Sequence, residues 1–304
     1  MGGGLSGRFG RFLVTAVPYA WLIVFFVIPF LIVFKISFSS SVIAQPPYVP
    51  IFDVLADGVT GTWAKAQEFT LKNYARLISN DLYAVAYLQS LRIAAISTVI
   101  TLLIGYPIAY AMARAPEGTR PILLMLIILP FWTSFLIRVY AWIGIIKNEG
   151  FLNMALMGLG LIDQPLVILN TNTAVYIGIV YSYLPFMILP LYASLEKIDG
   201  TLLEAASDLG CPPARAFWQI TWPLSRPGVV AGCLLVFIPA VGEFVIPDLL
   251  GGSETLMIGK TMWNEFFEAR DWPAAAAVAT VLLLVLVVPI VLFQRAEAKR
   301  ELAG

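Results

Sequence analysis

Apolar stretches long enough to cross a bilayer recur along this chain, and that recurrence limits the fold more than any single motif does. Runs at about 17–38, 88–113, 121–145, 172–195, 226–250 and 274–293 each supply roughly 20 residues or more, enough at about 1.5 Å per residue to span a hydrocarbon core of about 30 Å. Backbone inside lipid must satisfy its own polar groups, so each run is expected to be a helix. With 60% of residues hydrophobic and only 12% charged, the chain falls outside the soluble class. The expectation is an all-α membrane protein of about six transmembrane helices. Prolines interrupt every run, at Pro29, Pro107, Pro130, Pro185 with Pro190, Pro239 with Pro247, and Pro289. Kinked spans of this kind are compatible with a bundle that rearranges.

Several classes of chemistry are excluded at once. The chain has no histidine, which removes a histidine base, a histidine metal site and a Ser-His-Asp triad. Cys211 and Cys233 have no neighbours at metal-ligand spacing, and two isolated cysteines make no disulfide framework. No G-x-x-x-x-G-K-[ST], H-E-x-x-H or G-x-S-x-G pattern occurs. Nineteen basic residues balance nineteen acidic ones, so no global field points to nucleic acid. The chain is expected to be no enzyme and to bind no metal or other cofactor.

Charge placement orients the spans. Arg8 and Arg11 precede the first run, which places residues 1–16 in the cytoplasm. That run is too long, and lacks the cleavage site, for a removed signal peptide. Residues 39–87, with their prolines and scattered charges, then lie outside as a cap of short helices such as LKNYARLI, serving either as a partner's seat or as a connector. The turn RAPEGTR, the segment 196–226 and the tail 294–304 fall inside, leaving 17–293 as one permease domain with both termini cytoplasmic. The stretch 151–169, broken by Gly158, Gly160 and Pro165, reads as a short external helix and turn.

The cytoplasmic segment TLLEAASDLGCPPARAFWQITWP, residues 201–223, is predicted to be a helical elbow. Thr201 and Glu204 have capping-box spacing, which starts a helix at Leu202. Gly210 suits its left-handed end and Pro213 the first turn of the next helix. Leu202, Ala206 and Leu209 share one face. The elbow resembles the "EAA" signature of ABC importer permeases in Glu204, Ala205, Ala206, Gly210, Ile220 and Pro223, with Trp222 where that pattern has leucine. The resemblance implies a type I ABC importer permease fold, in which this coupling helix seats in a groove of an ATPase subunit.

Within the spans, Arg138, Glu243 and Asp248 are costly to insert and therefore informative. Two readings of Glu243 stand: a carboxylate facing a cationic solute, or a structural ion pair with Arg138. Asp248 is read as lining the solute path. Trp132 and Tyr183, beside Pro130 and Pro185, are candidate cavity aromatics that could hold an ammonium group. The runs IGYPIAYAMAR, LPFWTSFLIRVYAWIGIIKNEG, LVFIPAVGEFVIPDLLGG and MIGKTMWNEFFEARDWPAAAAVA resemble the spermidine and putrescine importer permeases, most of all the putrescine-type first subunit. The resemblance implies a bacterial inner-membrane location, a second and different permease, two ATPase subunits carrying ATP and Mg, and a periplasmic polyamine-binding protein. An ion-driven carrier of a cationic solute and an importer permease for another small solute are the alternatives.

Overall fold

A computed structural model describes residues 4–301. Residues 1–3 and 302–304, the outer ends of the expected cytoplasmic segment and tail, lie outside the described residues. The first span is α1 (Gly4–Leu22) joined to α2 (Ile28–Ser37) through one wide π turn, Ile23–Val27. Pro29 follows that turn directly, and the extra residue per turn relieves the clash a proline ring makes with the carbonyl four residues back.

The segment expected outside is a two-stranded ribbon, β1 (Ser40–Ser41) and β2 (Tyr48–Val49), followed by α3 (Val54–Ala66) and α4 (Lys72–Ser79). The short helices match expectation; the ribbon was not anticipated, because two-residue strands carry no period to read. Next come α5 (Asp81–Arg114), α6 (Arg120–Ile128), the turn Leu129–Trp132, α7 (Phe135–Ile146) and α8 (Phe151–Gly158). The remaining elements are α9 (Asn172–Leu195), α10 (Gly200–Asp208), α11 (Pro213–Ala216), α12 (Trp222–Val241), α13 (Val245–Leu249), α14 (Ile258–Trp263) and α15 (Trp272–Glu301).

Among the described residues, four helical stretches are long and apolar enough to cross a membrane: Val14–Ser37, Asp81–Arg114, Asn172–Leu195 and Pro213–Val241. The expected span at 121–145 is instead a bent pair, Arg120–Trp132 and Phe135–Gly158, at 89° to each other. Pro130 lies in the intervening turn, and Thr133 and Ser134 are extended after it, with ψ of 150° and 138°. A proline in a kink is ordinary; two extended residues behind it turn the kink into a corner. The last expected span falls in α15, whose described apolar part, Trp272–Val288, is 17 residues, at the short end of what spans.

The chain forms two compact units, residues 4–84 with 262–301, and residues 85–261. In the first, α2 and α4 pack on α15. The Asn73 amide donates to the Ser37 and Ser39 carbonyls at 2.8 and 2.9 Å. Arg76 bridges Glu265 at 3.1 Å and Asp271 at 2.9 Å. In the second unit, α9 packs on α12 through glycines. A Cβ on Gly228 would meet the Pro190 carbonyl at 2.7 Å, and one on Gly232 would meet Met187 at 2.7 Å. Gly228 and Gly232 are four residues apart, the small-x-x-x-small spacing that lets membrane helices approach closely. Around this seam Tyr106, Met112, Met187, Ile188, Leu191 and Val236 form a buried core.

Candidate functional site

The elbow forms, but its cap differs from expectation. Asp199, not Thr201, is the N-cap: its carboxylate accepts the Thr201 N–H at 3.0 Å, and α10 starts at Gly200. The shift of two residues puts Leu202 at the third helical position, where a capping box needs a glutamate. Glu204 therefore takes no part in capping and stays exposed, as does Ala205, while Ala206 is buried. This backbone hydrogen bond holds the Asp199 carboxyl below its ordinary value.

The end of the helix matches expectation closely. Gly210 has φ of 73°, its N–H donates to Ser207 at 2.8 Å, and the Cys211 N–H reaches Ala206 at 2.9 Å. That pair of bonds is a Schellman closure, which needs the left-handed residue glycine supplies. Pro213 then opens α11, and a second π turn, Phe217–Thr221, leads into α12 with Pro223 just beyond it. Phe217 packs edge-on to Tyr106 at 5.6 Å, Trp222 lies 5.5 Å from Tyr106, and the Tyr106 hydroxyl meets Ser225 at 2.9 Å. Trp222 thus fills a contact on α5, which accounts for tryptophan in place of leucine. Ile220 is half-buried in the same stretch.

What the elbow leaves uncovered matters as much. Leu209 is 89% exposed, with Leu202 and Trp218 also open, whereas Ala206, the middle residue of the apolar face predicted from the helical period, is buried. Single exposed apolar residues mean little, but here three lie on one short elbow whose backbone is completed internally. Arg120, closing the turn after α5, bridges Glu196 at 3.3 Å, and Tyr192 donates to the same carboxylate at 2.7 Å. The turn RAPEGTR and the segment leading into the elbow therefore lie at one end of the unit.

The second site is a break in a span. α12 stops at Val241, Gly242 and Glu243 are not helical, and α13 begins at Val245. Glu243, 8% exposed, caps the new helix: its Oε1 accepts the N–H groups of Val245 at 3.0 Å and Ile246 at 3.4 Å. Its Oε2 accepts the Tyr183 hydroxyl at 2.5 Å. Tyr183 sits near the middle of α9, so this carboxylate is about 17 Å from either end of that span.

Of the candidate residues named from sequence, Tyr183 and Glu243 meet directly, and of the two readings of Glu243 the ion pair with Arg138 is the one the structure does not bear out. Among the described residues no Arg138–Glu243 ion pair forms. The Arg138 guanidinium lies over the Phe131 ring at 4.9 Å and near Phe135 at 5.8 Å, and its Nε is buried without a hydrogen-bond partner. The corner after Pro130 redirects α7 and so sets where Arg138 points. Trp132, 74% exposed, ends the turn at that corner. Phe131 instead reaches Phe186, at 5.3 Å, and Phe186 lies 6.1 Å from Tyr183. Asp248 in α13 bonds to Lys260 at 3.1 Å, a partner nothing in the local sequence indicated.

The elbow runs without a break into the apolar helical stretch Pro213–Val241, in a chain with several helices long and apolar enough to cross a membrane. The chain belongs to the family described as "Binding-protein-dependent transport system inner membrane component", which matches residues 2–300. It is 41% identical over 293 residues to the spermidine/putrescine transport system permease protein PotB of Haemophilus influenzae, covering 96% of each chain. It is 46% identical over 229 residues to PotB of Escherichia coli strain K12, covering 75% of this chain and 83% of that one. A crystal structure of a bacterial ABC transporter that imports the acidic polysaccharide alginate shares the fold, with a TM-score of 0.67 at 15% identity over 97% of both chains. The chain is thus a multi-pass inner-membrane permease component of a binding-protein-dependent ABC transporter, and not an enzyme.

Proposed function

We propose that this chain is the first of two different permease subunits of an ATP-driven polyamine importer taking putrescine, spermidine or both. A periplasmic binding protein delivers the amine to the outer face. Two ATPase subunits, holding ATP and Mg, grip the elbow through Glu204, Ala205, Ala206, Gly210, Ile220 and Pro223, and this chain binds no cofactor itself. Both termini are cytoplasmic, and residues 39–87 face the periplasm. Glu243 and Asp248 present the negative charge that attracts the ammonium groups, and Tyr183 and Trp132 supply aromatic faces beside the path. The observation that carries the reading is a carboxylate at mid-span depth held by a tyrosine and two backbone amides. A charge there has a steep insertion cost unless it serves a pathway or a partner. The identity to permeases named for spermidine and putrescine supports the cargo.

Mechanically, closure of the ATPase pair pushes α10, and the push passes through α11 and the π turn to Tyr106 on α5 and to α12. The lower part of α12 moves, and the break at Gly242 and Glu243 lets the upper segment respond differently. The test is uptake of labelled putrescine and spermidine by the complex in proteoliposomes. Glu243→Gln is expected to lower transport by about tenfold or more, the scale of losing one desolvated charge contact. Glu204→Ala is expected to lower ATPase stimulation while cargo delivery from the binding protein persists. Full transport by Glu243→Gln would remove the cation path.

A further inference from the structure

An ion pair, Asp248 with Lys260, forms just past the break that Glu243 caps. Chain leaving it through α13 returns at α14, where the Ile258 N–H donates to Ser90 at 2.7 Å. Gly259 is pressed so closely on the break that an added Cβ would lie 2.3 Å from the Gly242 carbonyl and 2.6 Å from that of Glu243. The next residue is Lys260. Its ammonium reaches forward to Asp248 at 3.1 Å, with the two side chains 27% and 55% exposed. Asp248 lies about 4.5 Å along α13 from the turn that Glu243 caps. Glu243 itself is bound by a hydroxyl and two amides, all neutral donors.

We propose that Lys260 is a tethered stand-in for the cargo's ammonium group, occupying Asp248 whenever the path is empty and filtering cargo by its number of charges. The idea rests on the polyamine reading above and names the residue that sets its selectivity. A side chain fixed on the next helix acts at an effective concentration on the order of millimolar or higher. A singly charged cation that displaces Lys260 trades one ion pair for another and gains nothing. A diamine or triamine engages Asp248 with one ammonium and Glu243 with the next, and so makes an interaction that Lys260 cannot match. When the amine leaves, Lys260 returns and prevents recapture. No bond is made or broken; the exchange is one ion pair for another.

The test uses the complete complex with its binding protein in proteoliposomes, with n-butylammonium as the singly charged competitor on the side the amine enters. Wild-type uptake of putrescine is expected to be insensitive to millimolar butylammonium. Lys260→Met is expected to become sensitive by about fivefold, the scale of a half-exposed ion pair, and Lys260→Arg to stay insensitive. Asp248→Asn strands the Lys260 charge in the path and is expected to lower uptake by about fivefold or more. Adding Lys260→Met to it should recover part of that loss, even if the single Met variant assembles poorly. A Met variant as insensitive as the wild type, or a double variant no better than Asp248→Asn, overturns the proposal. If the wild-type complex moves neither putrescine nor spermidine, the polyamine reading itself fails, a result distinct from both.

Discussion

Tyr183 and Glu243 show what one hydrogen bond decides inside a membrane. Tyr183→Phe removes the donor to Oε2 and leaves a nearly buried carboxylate oxygen unsatisfied, so a loss of about 1–3 kcal/mol is expected, read as a lower unfolding temperature of the detergent-solubilised complex. Gly259 is the steric counterpart. Its site has no room for a methyl group against two carbonyls, and Gly259→Ala should cost about 2 kcal/mol or more and lower the yield of folded protein. At the elbow, Asp199 has a depressed pKa because it accepts a backbone N–H. Its capping contribution is therefore complete above its ordinary value of 3.8 and is lost only as pH falls through the lower folded value. Hydrogen exchange of α10, corrected for intrinsic rates, should show no pH-dependent fraying near neutrality, and Asp199→Asn should keep the cap at every pH.

Elements were legible where a period or a punctuating residue acts on its own neighbours in sequence. Gly210 and Pro213 announced the elbow, and the Schellman closure and the α11 start follow from those two residues alone. The cap was misplaced because Thr201 and Asp199 are both good N-caps, and the choice depends on where the preceding span releases the chain. The corner at Trp132 was missed for a similar reason: Pro130 marks a distortion, but its angle is set by what α7 packs against. Signals for close packing were present and unread, since Gly228 and Gly232 carry the spacing of the α9 seam. At this scale, Leu209→Asp should leave the permease folded, because Leu209 is almost fully open. It should nonetheless prevent co-purification of the ATPase, measured by pull-down of the tagged complex.

For the whole molecule, the division of labour makes its own prediction. A polypeptide whose elbow is finished internally yet uncovered has no source of force, so the purified chain alone in sealed liposomes should not move polyamine uphill, with or without an ion gradient. Transport should appear only with the second permease, the ATPase and nucleotide. The amino-acid sequence by itself determined the membrane class, most of the apolar helices and the helix–glycine–helix form of the elbow, because each follows from local hydrophobicity or a glycine turn. Which charges meet was decided by tertiary structure alone. Glu243 faces Tyr183 and Asp248 faces Lys260, while Arg138 lies on aromatic rings, because a broken span and a sharp corner turn these side chains through angles that residue spacing does not encode.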